Sequence, residues 1–178
     1  MNITNNNQIS FGHFRISYAA EEKLTKLSPK ELCRIRRLAK HVRHTEEYDF
    51  CLDKNLKPRI KDNSILYSSY IAPFKVSKVE ENPFQLRIST TKLNEHPLGQ
   101  GKKTPVDLYI EFKKKEEANS VYKRLNTSND EIERGVILTR MLEVERLSQM
   151  DQYLADSLPR GKRSIIDEMM YRYGDDSI

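Results

Sequence analysis

The chain has 178 residues, of which 37% are hydrophobic and 32% are charged. This length and composition exclude a fibrous or low-complexity chain and predict one folded domain with an adequate core. The net charge of +5 is uneven, because residues 1–80 hold 15 Lys and Arg against 9 acids, whereas residues 128–178 hold 7 against 11. A basic front half indicates an anionic partner, or else a basic body against which the acidic tail packs.

Residues 1–8 are polar and rich in asparagine, so we expect a disordered leader there. The leader has no apolar signal-peptide core, and no apolar run approaches membrane-spanning length. We therefore predict a soluble, cytoplasmic protein without membrane contact; a polar leader of this kind also suits a secretion route that needs no signal peptide. Cys33 and Cys51 are too few for a disulfide scaffold and are expected to be reduced thiols in packing positions.

The first elements are predicted as a strand over Ile9–Tyr18 and a short helix over Ala19–Leu27. Ser28-Pro29-Lys30-Glu31 then combines an N-cap serine, a proline at the first helical position and a capping-box glutamate, which predicts a helix to about Thr45. The apolar side of that helix must be buried, and it consists of Leu32, Ile35, Leu38, Ala39 and Val42.

Alternation of apolar and polar residues predicts a run of antiparallel strands after this helix. They are expected at Tyr48–Asp53, through Ile60, and at Ile65–Ile71, Phe74–Glu80, Phe84–Thr91 and Val106–Phe112. Helical spacing returns at Ala118–Leu125, and a second capping box at Ser128 predicts a long helix to Leu158. Its apolar stripe is expected in the core, the first half more deeply, and comprises Ile132, Val136, Val144, Leu147, Met150 and Leu154.

The predicted fold class is therefore α+β. An antiparallel sheet of about five or six strands would carry the N-terminal basic helix and the C-terminal helical segment packed on it. Residues 9–158 would form one domain. Pro159-Arg160-Gly161 would break the long helix, leaving residues 159–178 as a C-terminal helical appendage with a short helix from Ser164 to Gly174.

The polar side of the basic helix supplies most candidate binding residues. Glu31 is the one acidic residue between Lys30 and Arg43, so pairing within the helix does not balance its charge. Lysines and arginines on such a face can neutralise nucleic-acid phosphates, and a solvated outer face is the alternative interpretation. The candidates are Lys30, Arg34, Arg37, Lys40 and Arg43, together with Lys102 and Lys103 in the predicted loop His96–Thr104.

Motifs for other chemistry are missing from the sequence. The loop at Gly101-Lys102 has His96 where a phosphate-binding loop needs glycine. His41 and His44 lack the further ligands of a zinc site, and there is no nucleophile elbow. We therefore predict no catalytic residues, no metal and no cofactor.

Residues Phe14 to about Thr45 contain a predicted strand, a short helix and then the basic helix. The motif Leu24-x-x-Leu27-Ser28-Pro29 precedes the basic helix. This order resembles the opening of bacterial RelE-type mRNA-cleaving toxins, over about a fifth of the chain. The resemblance implies RNA cleavage by general acid–base chemistry on a 2′-hydroxyl. It also implies basic and tyrosine residues on later strands, for which this sequence offers Arg59, Lys61, Arg87 and Tyr109. Such toxins are shorter and have no counterpart of the C-terminal helices.

Two functional hypotheses follow. The first is a non-enzymatic intracellular binding protein whose basic helix face contacts RNA, DNA or an acidic protein surface. The alternative is a RelE-like mRNA-cleaving endoribonuclease. Substitutions separate them, because a binding surface loses affinity in small steps whereas a catalytic site fails on one change.

Overall fold

The computed structural model describes residues 10–11, 14–43, 45–95 and 101–157. The chain divides into two compact units, residues 1–143 and 144–178. The first unit confirms the α+β class, with a mostly antiparallel open sheet whose strands follow chain order. The strands are β1 (Ser10–Phe11), β2 (Phe14–Ile16), β3 (Tyr48–Leu52), β4 (Pro58–Asp62), β5 (Ser68–Lys78), β6 (Gln85–Asn94) and β7 (Lys102–Glu111). The predicted five or six strands agree with this sheet once the two-residue β1 is set aside.

The helices are α1 (Glu21–Thr25), α2 (Pro29–Lys40), α3 (Lys115–Thr127) and α4 (Glu131–Ser157). β2 and β3 pair in parallel, whereas the other neighbouring strands described here pair antiparallel. A parallel neighbour requires a crossover connection, and α1 and α2 supply it between β2 and β3.

The start of α2 confirms the predicted capping box. The Ser28 hydroxyl accepts the Glu31 N–H, and the Glu31 carboxylate accepts the Ser28 N–H. The helix ends at Lys40 rather than near Thr45, and a turn follows. The apolar pattern overshoots the helix because Val42 is buried although it lies beyond the last turn.

The middle strands differ from the predicted ones in two places. Ile65–Ile71 and Phe74–Glu80 are not separate strands, since β5 runs through Pro73 with a register shift between Ile71 and Lys75. β7 begins at Lys102, so Lys102 and Lys103 belong to a strand rather than to a loop. Residues 96–100 of the predicted loop lie outside the described residues.

Two buried clusters lie on one face of the sheet, here called the inner face. The first joins Phe14 and Phe50, whose ring centroids are 4.9 Å apart, to buried residues of α2 and α4. The second is built on β4 to β7, α3 and α4. At Gly135 of α4 an added Cβ would lie 2.6 Å from Phe50 Cε2. The helix therefore lies so close to the sheet at this point that only glycine, which has no side chain, fits.

The long helix is buried in its first half, where Val136, Leu138 and Leu142 are core residues. The prediction that Val144 and Leu147 join the core is wrong, because both are exposed; helical periodicity continues whether or not a partner covers the stripe. Asp130 rather than Ser128 caps the helix, accepting the N–H of Ile132.

Several sequence predictions fall outside the described residues. They are the leader 1–8, the appendage 159–178 with its short helix, and the side chains of Met150 and Leu154. The extent of a single domain over residues 9–158 therefore stays a prediction. In the part of the chain that is described, no helix has the length and apolar character needed to cross a bilayer.

Candidate functional site

A cavity of about 870 Å³ opens on the sheet face opposite the two buried clusters, here called the outer face. Side chains alternate between the two faces of a strand. Arg15 therefore lies opposite to its buried neighbours Phe14 and Ile16. The cavity is lined from β2, β3, β4 and β5 and from the segments around them by Arg15, Tyr18, Cys51, Lys54, Arg59, Lys61, Leu66, Tyr67, Ser69 and Glu95, among others.

Two cross-strand rows form the floor of this cavity. Arg15, Cys51 and Arg59 are partners across β2, β3 and β4. Asp49, Lys61 and Ser69 are partners across β3, β4 and β5. Neighbouring strands lie about 4.8 Å apart, so Arg15 of β2 shares one small area of the outer face with Arg59 and Lys61 of β4.

Carboxylates hold the two arginines of the floor. Arg15 Nε lies 2.8 Å from Asp49 Oδ2, and the Asp49 side chain has no exposed surface. Arg59 Nη1 lies 2.7 Å from Glu95 Oε1. These pairs order two otherwise flexible guanidinium groups, which present planar donors suited to phosphate or carboxylate oxygens.

Lys61 and Ser69 face each other on β4 and β5. Within the described residues, Lys61 forms no ion pair, and the Ser69 Oγ has no hydrogen-bond partner although Ser69 is only 7% exposed. Buried polar atoms are nearly always hydrogen-bonded. A cation beside a buried, unsatisfied hydroxyl is an arrangement that an anionic ligand would complete.

Cys51 lies in the centre of the floor, but its thiol is unsuited to nucleophilic chemistry. Burial, and then the negative charge of Asp49, raise its pKa to about 11, despite the opposing effect of Arg15, Lys61 and Arg59. The reactive form of cysteine is the thiolate, so this thiol stays protonated at neutral pH. Cys33 is exposed on α2, so the expected packing position is wrong for that residue.

The predicted basic residues of α2 lie on the other side of the sheet from the cavity, because α2 contributes Ile35 and Ala39 to the inner-face core. Lys30, Arg34, Arg37 and Lys40 are exposed on the helix, and Arg43 is exposed in the turn after it. Arg34 is paired with Asp130. The remaining four show no ion pair within the described residues.

Among the binding residues predicted from the sequence, Lys103 lies nearest to the cavity, as judged from strand register. It pairs with Leu93, which in turn pairs with Ser69, so Lys103 shares the outer face about 10 Å from Ser69. Lys102 alternates to the opposite face.

The resemblance to RelE-type toxins is only partly matched by this geometry. Arg59 and Lys61 line the cavity. Arg87 and Tyr109 pair with each other at the far end of β6. Arg87 lies six residues from Leu93, which corresponds to about 20 Å along the strand. The structure does not bring these two residues to the cavity.

Sequence reasoning missed Arg15, Asp49 and Ser69 as site residues. It also missed Tyr18 and Tyr67, which line the cavity. A signal was present, because Arg15 and Asp49 each stand beside apolar residues of a strand whose other face is buried. Which charged residues meet depends on strand register, and local patterns do not determine register.

Among the described residues, no group of three His, Cys, Asp or Glu is placed to hold a metal ion. Comparison of the chain with family models, with curated proteins and with solved structures finds no match in any of the three.

Proposed function

We propose that this protein is a non-enzymatic nucleic-acid-binding protein that contacts backbone phosphates in the outer-face cavity. The observation that carries the proposal is the opposed pair Lys61 and Ser69, both without partners in the described structure. This pair shares the outer face with two arginines that are held by carboxylates. A phosphate oxygen would accept from the ammonium and the hydroxyl together, which satisfies the buried Ser69 Oγ.

The charge balance of the cavity also supports binding of a polyanion. Arg15, Lys54, Arg59 and Lys61 line it against Asp53 and Glu95. With the buried Asp49 of the floor, which is paired with Arg15, the cations outnumber the carboxylates by one. Asp53 is already committed, because its Oδ1 accepts the N–H groups of Asn55 and Lys57. Phosphate neutralisation releases counterions and gives binding that weakens steeply with salt.

The basic face of α2 is the second candidate surface for the same partner. Its exposed cations Lys30, Arg37 and Lys40 favour it, as each lacks an ion pair in the described residues. This surface and the cavity lie on opposite sides of the sheet. A short oligonucleotide therefore contacts one or the other, and substitutions on each side separate them.

RNA cleavage of the RelE type is the alternative activity. Its one specific support is that Arg59 and Lys61, the residues implied by the resemblance, lie in the same cavity. Cleavage through the 2′-hydroxyl also needs a group that accepts a proton. The Glu95 carboxylate is engaged with Arg59, which favours binding over catalysis.

The test is a salt titration of binding to a short fluorescent oligouridylate, followed by anisotropy between about 50 and about 200 mM salt. Lys61→Gln removes one phosphate contact, so the slope of log affinity against log salt should fall by about 0.7. Lys40→Gln removes one charge on the opposite side of the sheet and is the matched control. Thermal melts check that both variants fold.

A slope that changes for Lys40→Gln and not for Lys61→Gln would assign the interface to α2 instead. Absence of binding at low salt would overturn the proposal altogether. Shortened oligonucleotide after incubation with the wild-type protein, lost in Lys61→Gln, would establish cleavage in place of simple binding.

A further inference from the structure

Exposed apolar side chains are concentrated at the mouth of the cavity. Eight large apolar residues are exposed in the described part of the chain. Four of these eight line this one cavity, and they are Tyr18, Ile65, Leu66 and Tyr67. Single exposed apolar residues are ordinary, whereas a cluster at a cleft marks an interaction site.

Two of the four are tyrosines that reach the rim from separate segments. Tyr18 is 71% exposed in a short 3₁₀ turn after β2, and Tyr67 is 49% exposed in the segment before β5. The backbone of Tyr67 is left-handed, with φ at 62°, a conformation that is strained for a bulky residue. Strained positions of this kind cluster at functional sites.

Glu95 connects the rim to the floor. Its N–H donates to the Tyr67 carbonyl at 2.5 Å, and its carboxylate accepts from Arg59 at 2.7 Å. One residue thus fixes the backbone of Tyr67 and holds the guanidinium of Arg59. The cavity therefore has an aromatic rim above a cationic floor.

We infer that the ligand is single-stranded, with an unpaired base stacked on Tyr67 or Tyr18 while an adjacent phosphate lies against Lys61 and Ser69. This inference rests on the proposed function and adds the class of nucleic acid to it. Bases within a duplex are already stacked and paired, so their faces are not accessible to tyrosine. Single-strand-binding proteins combine a cationic groove with aromatic platforms in this way.

The experiment compares three probes of equal length with the unmodified full chain. They are a single-stranded oligouridylate, the same strand with abasic positions, and a duplex. The abasic strand keeps every phosphate, so the loss it shows measures the bases alone. Stacking on aromatic side chains predicts a loss of about tenfold for the abasic strand, with the duplex also binding more weakly than the single strand.

Tyrosine variants assign the effect to the rim. At least one of Tyr67→Ala and Tyr18→Ala should weaken binding of the single strand and leave the affinity for the abasic strand unchanged. The phenylalanine variant at the same position, Tyr67→Phe or Tyr18→Phe, should restore the affinity for the single strand. Tyr109→Ala is the matched control, because Tyr109 is also 49% exposed and lies on the outer face away from the cavity.

Equal affinity for the intact and abasic strands would overturn this inference; if Lys61→Gln still lowered the affinity, the proposed function would stand. Failure of every probe to bind would overturn both. Displacement of the strand by uridine monophosphate at comparable concentration would show that a free nucleotide, and not a strand, is the ligand. The probe comparison uses the unmodified chain, so it decides the matter even if a tyrosine variant fails to fold.

Discussion

Arg15 Nε lies 2.8 Å from the carboxylate of Asp49, a side chain with no exposed surface. The pair links β2 to β3, the two strands joined in parallel by the α1–α2 connection. A fully buried carboxylate is tolerated only when it is paired. The first arginine of the cavity floor is therefore a structural requirement as well as a candidate ligand contact.

Arg15→Leu should destabilise the fold, because it removes the cation that lies 2.8 Å from the fully buried Asp49 carboxylate. Breaking such a pair costs about 3 kcal/mol, measured as the change in the free energy of unfolding in urea. The control is Lys26→Gln, whose pair with Glu22 is largely exposed and should contribute less than about 0.5 kcal/mol. Equal effects of the two substitutions would contradict the structural role assigned to Arg15.

Gly135→Ala should also destabilise the protein, although alanine favours helices by about 1 kcal/mol over glycine. The added Cβ would lie 2.6 Å from Phe50 Cε2 and 2.9 Å from Pro58 Cβ. Overpacking of this kind costs about 1–3 kcal/mol. Two contacts under 3.0 Å with buried side chains favour the upper part of this range, which exceeds the gain in helix propensity. Ser120→Ala on the exposed side of α3 is the control, and a higher melting temperature for Gly135→Ala would show that α4 does not approach β3 this closely.

Cys51 should make the protein less stable as the pH rises above about 9. The ordinary pKa of the thiol is 9.0 and the folded chain raises it to about 11. Between these values the unfolded chain has lost the proton and the folded chain retains it. The free energy of unfolding therefore falls by up to about 1.4 kcal/mol per pH unit in this interval and is unaffected by this thiol below it.

The measurement is a series of urea unfolding curves across this pH range for the wild type and for Cys51→Ala. The other groups titrate in both proteins, so the difference between the curves isolates Cys51. Cys33→Ala, which removes an exposed thiol, should follow the wild type. Parallel curves for the wild type and Cys51→Ala would contradict the raised pKa.

Ser28→Ala should cost about 1 kcal/mol of stability, since it removes the hydroxyl that accepts the Glu31 N–H at the start of α2. The same hydroxyl donates to the Glu31 carboxylate, and these hydrogen bonds from Ser28 lower the pKa of Glu31. In Ser28→Ala that pKa should rise towards 4.5, its ordinary value. Carboxyl NMR titration follows it directly, and an unchanged pKa would indicate that the capping box does not form in solution.

The sequence by itself determined the features that depend on neighbouring residues. The Ser28–Glu31 box sets the start of α2 because all its hydrogen bonds lie within one turn. The α+β class followed from the change between two-residue and helical periodicity. The same patterns failed at Val144 and Leu147, because an apolar stripe does not tell whether anything covers it.

Only the tertiary structure decided the candidate site. Arg15, Asp49, Lys61 and Ser69 come from four strands, and they meet because of the parallel β2–β3 pairing and the registers of β3, β4 and β5. A register shift of one residue in any one of these strands would turn its side chains to the other face and remove its residue from the group. Register depends on the packing of the whole inner face against the helices. The local sequence around each of these residues therefore does not predict which residues it faces on the neighbouring strands.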